Sequence, residues 1–165
     1  MRRRFFSVAA VLLLIGTSTR GEAASIRKEI HLNASPSAVW DAVRDFGNVD
    51  KRLVPGFVVD VKVDGDAREV TFANGNKVRE LLVSSNDDSR RLVYAITGGR
   101  MTCYSASLEV LPGGSTGTLL VWTVDFLPNE FAGYIKDQMD LAAAVIKRTL
   151  DPSPVNRRDI RRHNR

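Results

Sequence analysis

The sequence predicts an α+β fold in which a curved antiparallel sheet of about seven strands wraps around one long C-terminal helix, with two short helices after the first strand. Three observations lead to it. Six consecutive runs rich in β-branched and aromatic residues lie between Phe57 and Phe126, each bounded by turn chemistry. After Pro128 the apolar residues recur every third or fourth position, the spacing of a helix rather than a strand. Ahead of the runs, a short alternating segment is followed by a capped helical one.

From Ile26 to Leu32 the apolar side chains fall at 26, 30 and 32, compatible with a strand. Ser35-Pro36 then supplies a capping hydroxyl followed by proline at the first helical position, where its missing N–H is no loss. Val39, Trp40, Val43 and Phe46 recur at helical spacing until Gly47, and a second helical fragment runs from Asn48 to Leu53, before Pro55-Gly56. The six strands are expected at Phe57 to Val63, Glu69 to Ala73, Lys77 to Ser84, Arg91 to Thr97, Thr102 to Leu111 and Thr118 to Phe126. Asn74-Gly75 is the strongest hairpin signal among their separators, because both residues tolerate positive φ. Connections this short join antiparallel neighbours, so the runs form a meander. Phe131, Ile135, Met139, Ala142, Ile146 and Leu150 make one apolar stripe on a closing helix, which Asp151-Pro152-Ser153-Pro154 ends.

The charge of the chain is misleading as a total. Its 165 residues include 24 Lys+Arg and 19 Asp+Glu, a formal +5 that invites a nucleic-acid reading. Residues 1–24 hold Arg2, Arg3, Arg4 and Arg20 against Glu22, and residues 151–165 hold five arginines against Asp151 and Asp159. Residues 25–150 carry 15 basic and 16 acidic side chains, so the folded body offers no excess cation to a phosphate backbone and nucleic acid is not an expected partner. The leader has the order of a secretory signal: Arg2 to Arg4, an apolar run from Phe5 to Ile15, then small residues ending Ala23-Ala24. A spanning helix needs about 20 apolar residues, and this run is shorter. We expect cleavage after Ala23 or Ala24 and a secreted or periplasmic bacterial protein, with an uncleaved anchor as the alternative. Cys103 is the only cysteine, which excludes an internal disulfide. The chain thus divides into a signal peptide (1–24), one domain (25–151) and a basic tail (152–165) too poor in apolar residues to fold alone. The tail is read as a solubilising end, the alternative being weak contact with a membrane surface or an acidic protein.

Several motifs carry a resemblance. They are Ala38-Val39-Trp40-Asp41-Ala42-Val43-Arg44-Asp45-Phe46; Ala73-Asn74-Gly75 leading to Val78-Arg79-Glu80-Leu81-Leu82; Asp87-Asp88 with Arg91-Leu92-Val93-Tyr94-Ala95-Ile96; and Gly98-Gly99 with Tyr104. In this order, over about residues 26–150, the chain resembles the START-like, helix-grip superfamily, also called SRPBCC or birch-pollen-allergen-like. Within it, the chain resembles the polyketide cyclase/dehydratase group and the plant abscisic acid receptors. The resemblance implies a helix-grip fold with a cavity between sheet and long helix. In the hormone receptors a glutamate at the position of Glu80 and a tyrosine at that of Tyr104 line the pocket, with aromatic or aliphatic residues at those of Tyr94 and Ile96. The receptors' Ser-Gly-Leu-Pro-Ala gate is replaced here by the tight turn around Asn74-Gly75, their His-Arg-Leu latch by Arg100-Met101-Thr102, and no lysine stands near Pro55. Hormone-type gating is therefore not expected.

Strand alternation extends the pocket set independently. If Glu80 points inward so do Val78 and Leu82, and with Tyr104 go Ala106 and Leu108. The helix adds Phe131, Ile135 and Met139. A carboxylate facing an apolar cavity is desolvated, which raises its pKa and suits Glu80 to general-base work or to anchoring a ligand. The competing reading is a rim glutamate paired with Arg79 or Lys77. Tyr94 and Tyr104 are candidate hydrogen-bond donors, against a purely packing role. His31 and His163 are placed too far apart to meet and one cysteine adds nothing to a ligand set, so neither metal nor cofactor is expected. No Gly-x-Ser-x-Gly elbow and no phosphate-binding glycine loop occurs. The leading expectation is an exported protein that binds a small hydrophobic molecule or lipid in the cavity. The alternatives are a cyclase/dehydratase-like enzyme with Glu80 as base and Tyr104 or Tyr94 as donor, and an interaction protein that uses the basic tail.

Overall fold

A computed structural model describes residues 24–114 and 117–151, so the leader through residue 23 and the tail from residue 152 lie outside the described residues. The first strand, β1 (Ala24–Leu32), buries Ile30 and Leu32 and exposes Arg27, Glu29 and His31, the alternation its sequence called for. Ser35 then turns the chain. Its extended backbone and its Oγ, which accepts from Ala38 N at 3.3 Å, cap α1 (Pro36–Val43). The helix buries Val39, Trp40, Ala42 and Val43, and the Trp40 indole Nε1 donates to Asp87 Oδ1 at 2.7 Å. A single 3₁₀ turn (Phe46–Asn48) leads into α2 (Val49–Arg52), which turns Val49 into the core.

Six strands follow: β2 (Val58–Asp64), β3 (Ala67–Phe72), β4 (Lys77–Asn86), β5 (Arg91–Thr97), β6 (Cys103–Pro112) and β7 (Thr118–Leu127). The seven strands form one sheet in the order β1-β7-β6-β5-β4-β3-β2, and every neighbouring pair is antiparallel. The meander accounts for five of the pairings, and β1 joins by pairing with β7 from Ala24 opposite Phe126 to Leu32 opposite Thr118. Register shifts between Val58 and Asp60 and between Leu82 and Ser84 are β-bulges, which bend a strand and increase its twist. They help curve the sheet around the closing helix.

That helix, α3 (Ala132–Leu150), is entered through a 3₁₀ turn at Asn129–Phe131. Ile135, Met139, Ala142, Ala143 and Ile146 are buried on its inner face, while Phe131 and Leu150 at the ends of the predicted stripe are half-buried. Burying each of the large aliphatic side chains contributes roughly 1.5–3 kcal/mol, which is what holds α3 to the sheet. Polar clamps fix its position along β1. Lys28 pairs with Asp140, Lys147 Nζ donates to the His31 carbonyl at 2.5 Å, and Asp151 Oδ2 accepts from Asn33 N and Nδ2 at 3.0 and 2.8 Å.

Most boundaries lie within one or two residues of the expected ones, and one of the small differences matters. The third strand starts at Ala67 rather than Glu69, which brings Arg68 into the sheet with its side chain buried. An arginine does not read as an inward strand residue, because burying its charge is costly without a partner. The partner is supplied by the next strand.

Candidate functional site

Between the inner face of the sheet and α3 lies a cavity of about 130 Å³. An apolar cavity of roughly 150 Å³ is large enough to take up benzene, so this one matches a single aromatic ring. Ile135, Met139, Ala142 and Ile146 form its helix wall. Val70, Val78, Ile96 and Leu108 form much of its sheet wall, and Val49, Leu53 and Val54 close the end beneath the short helix. Tyr134 also lines it while remaining 49% exposed, so the cavity reaches solvent beside the first turn of α3.

The polar part of the wall is built by strand register. Arg68 on β3 stands directly opposite Glu80 on β4. Arg68 Nε donates to Glu80 Oε2 at 2.6 Å, Nη2 lies 2.5 Å from the same oxygen, and the two side chains are only 7% and 6% exposed. Arg68 Nη1 donates to the Phe46 carbonyl, and the guanidinium carbon lies 3.8 Å above the centre of the Phe46 ring. The α1–α2 connection thus grips the arginine from the far side. Glu80 Oε1, by contrast, has no hydrogen-bond partner among the described residues.

Next to the pair, Tyr94 and Tyr104 sit with ring centroids 6.4 Å apart, and the Arg68 guanidinium lies 5.8 Å from the Tyr94 ring. Burial pushes the Glu80 carboxyl above its ordinary range, against the pull of Arg68 in the other direction. Burial also pushes both phenols well up, the Glu80 charge adding to the effect, so Tyr94 and Tyr104 remain protonated donors. Trp122 on β7 also lines the cavity. Its Nε1 is buried and has no acceptor among the described residues.

Eight of the eleven residues proposed from sequence line this cavity: Val78, Glu80, Tyr94 and Ile96 from β4 and β5, and Tyr104, Leu108, Ile135 and Met139 from β6 and α3. Leu82, Ala106 and Phe131 do not. Leu82 stands opposite inward Tyr94, ahead of the bulge, and packs half-buried against the core without reaching the cavity. Ala106 is buried opposite Tyr94, but its methyl group is too short to reach the cavity past that ring. Phe131 lies in the turn before α3, with the Arg100 guanidinium 5.2 Å from its ring centre. The rim reading of Glu80 is also corrected, since Arg79 reaches Asp64 at 2.9 Å and Lys77 reaches Glu69 at 3.3 Å. Cys103 is exposed, as expected of a neighbour of inward Tyr104. Among the described residues no group of three or more His, Cys, Asp or Glu side chains is placed to hold a metal.

Sequence reasoning missed several lining residues, among them Val49, Leu53, Val70 and Gln138, and of these Arg68 and Trp122 are the most informative. A signal for Arg68 existed: it and Glu80 lie equally far in sequence from Asn74, so a hairpin centred there sets them face to face. Trp122 faces Leu108 in the β6–β7 register and shares the inward face assigned to that residue.

Comparison with known proteins agrees with this architecture. No curated protein matches the sequence. Among solved structures, a protein from Nitrosospira multiformis superposes with a TM-score of 0.67 at 18% identity, covering 78% of this chain and 97% of its own. An uncharacterized protein from Bacillus thuringiensis gives 0.63 at 20% identity over 74% and 98%. Norcoclaurine synthase from Thalictrum flavum, in complex with a transition-state analogue, gives 0.62 at 17% identity over 78% and 94%. At these identities the likeness is one of fold. The family described as "Polyketide cyclase / dehydrase and lipid transport" matches residues 23–153, a span that takes in all seven strands and the whole of α3. This chain therefore belongs to that family, within the START-like, helix-grip superfamily.

Proposed function

We propose that this protein binds a small, mainly apolar molecule in the cavity between the sheet and α3. The observation that carries the reading is the cavity itself. It is walled by aliphatic side chains, open beside Tyr134, and holds the carboxylate of Glu80, only one oxygen of which is taken up by Arg68. An apolar pocket with a few placed polar groups is the usual form of a small-molecule site. Family membership supports a ligand-binding or cyclase-like role and leaves the ligand to the pocket's own chemistry. Native mass spectrometry of protein isolated from the cells that make it tests the reading. The expected result is a noncovalent mass increment that disappears in Ala142→Trp, which fills the cavity. A bare mass in both, with no uptake of an apolar dye by the wild type, would overturn it.

A second reading, proton abstraction by Glu80 in a cyclase-like reaction with Tyr104 or Tyr94 as donor, is favoured by one observation. Glu80 Oε1 is unpartnered in a desolvated wall that raises its proton affinity. Arg68 opposes it by holding the other oxygen and stabilising the charged form. Glu80→Gln separates the two readings: an enzyme loses turnover while keeping binding, whereas a binding protein shows no turnover to lose.

Export completes the proposal. The leader would deliver the protein to an oxidising compartment, where the packed core and the Arg68–Glu80 pair serve in place of disulfides. A mature N-terminus at Ala24 or Ser25 in the periplasmic fraction is the expected finding. An intact Met1 there would point to an anchor.

A further inference from the structure

We infer that the edge of β2 pairs with the same edge of a second copy of this chain, antiparallel about a two-fold axis at Val61, so that the two sheets join into one. The strands β1 and β2 are the two ends of the sheet, and the structure dresses them differently. Along β1, α3 supplies Lys147 to the His31 carbonyl, Asp140 to Lys28 and Asp151 to the Asn33 N–H. Among the described residues β2 pairs with β3 alone, apart from Val58, which Pro55 bridges. Past that point the strand is open: Asp60, Lys62 and Asp64 are exposed, Val61 is half-buried, and Val59 and Val63 are 54% and 57% exposed. An open edge carrying apolar side chains is a template for another strand.

Backbone direction and charge together select the partner. Asp64 and Ala67 close the turn at Gly65-Asp66 and so exchange hydrogen bonds, and bonded and non-bonded pairs alternate along an antiparallel ladder. Lys62 and Asp60 therefore bond to β3, whereas Val61 and Val63 direct their N–H and C=O groups away from it. A partner strand centred on Val61 lets the two Val61 residues exchange both bonds. The same register sets Asp60 opposite Lys62 of the second copy, and by symmetry Lys62 opposite Asp60 of the second copy. Val59 then faces Val63 of the second copy, and pairing covers both exposed side chains. Charges on an edge strand keep unrelated strands away, but opposite charges directly across a ladder attract. A parallel, in-register pair would set Asp60 against Asp60 and Lys62 against Lys62, so the strand complements its own copy only when reversed.

Sedimentation and amide hydrogen exchange test the inference on protein purified from the cells that make it, kept reduced so that exposed Cys103 forms no disulfide. An edge of seven residues buries less than a standard interface, so a reversible dimer is expected to populate near about 100 μM. Asp60→Lys, whose side chain stands opposite Thr71 in its own sheet, should weaken the dimer at least about tenfold by opposing Lys62 of the second copy. Lys62→Asp should do the same. An equimolar mixture of the two variants should dimerise as wild type does, because lysines on one strand then meet aspartates on the other. The Val61 amide should exchange more slowly as wild-type dimer forms. A wild type that stays monomeric up to about 1 mM overturns the inference, as does a dimer indifferent to Asp60→Lys. Failure of the mixture to dimerise, with both variants keeping the wild-type circular dichroism, overturns it too. Val61 protection that is independent of concentration would mean that a segment of the same chain covers the edge, and is equally contrary. If Lys62→Asp, which stands opposite Glu69, does not fold, Asp60→Lys against wild type decides the matter.

Discussion

Replacing Arg68 by methionine is the perturbation that bears most directly on how this site is built. Methionine keeps much of the volume and length of arginine, so the main loss is the charge and its hydrogen bonds to Glu80 Oε2 and the Phe46 carbonyl. Glu80 then remains buried at 6% side-chain exposure with no counter-charge. Removing one partner of a buried ion pair costs about 3–5 kcal/mol. With a urea dependence of about 2 kcal/mol per molar, the unfolding midpoint near neutral pH should fall by about 2 M. The loss should depend on pH in a definite direction. The folded-state pKa of Glu80 already lies above its ordinary 4.5, and without Arg68 it moves higher still. A carboxyl of this kind binds its proton more tightly folded than unfolded. Its contribution is therefore fully present below about 4.5 and is lost as pH rises through the folded value. Urea titrations of Arg68→Met should accordingly show it recovering much of its deficit as the pH is lowered toward 5, and the double variant Arg68→Met/Glu80→Leu, which removes both charges, should be at least as stable as Arg68→Met at every pH. A deficit below about 1 kcal/mol, or one that does not change with pH, would refute the buried-pair account.

Three further outcomes follow from the same coordinates. Glu80→Gln should remove the acid-side gain in stability that wild type shows as pH falls toward 4.5, and should cost about 1–3 kcal/mol near neutral pH by leaving the arginine charge uncompensated, both read from urea titrations across pH. Ile146→Ala, at a residue 1% exposed on the cavity wall, should cost about 2–5 kcal/mol in chemical denaturation and shift binding preference toward two-ring molecules. Gly117→Ala should cost at least about 2 kcal/mol in thermal unfolding, because φ is +87° there and a β-carbon would run into the Leu32 carbonyl oxygen. A neutral result at Gly117 would mean that the β6–β7 turn does not pack against the end of β1.

The elements of this fold were legible because each is marked by local chemistry that tertiary contacts reinforce. Ser35-Pro36 fixes the start of α1, Asn74-Gly75 fixes the β3–β4 hairpin, and the spacing from Ile135 to Ile146 fixes the buried face of α3. The pocket was legible to the extent that alternation held. It failed at Leu82 and at Ala106, where direction was right and reach was not. Arg68 was missed because its burial follows from a pairing between two strands, not from its own segment. Read alone, Ala67-Arg68-Glu69 looks like the polar edge of a turn, and only the register sets Arg68 opposite Glu80. Trp122 was legible as apolar surface, but whether its N–H is satisfied depends on neighbours from β1, β6 and α3 that no stretch of sequence lists together.

The central claim is that a small molecule occupies the space beneath the sheet. Nuclear Overhauser contacts between a bound ring and methyl-labelled protein test it most directly. The account predicts contacts from the ring of 4-hydroxyacetophenone or toluene to Ile135, Met139 and Ile146 on α3 and to Val78 and Ile96 on the sheet, all of which wall the cavity. Contacts confined to exposed Val59, Leu81, Val83 or Leu141 would place the molecule on the outside of the fold and contradict the account.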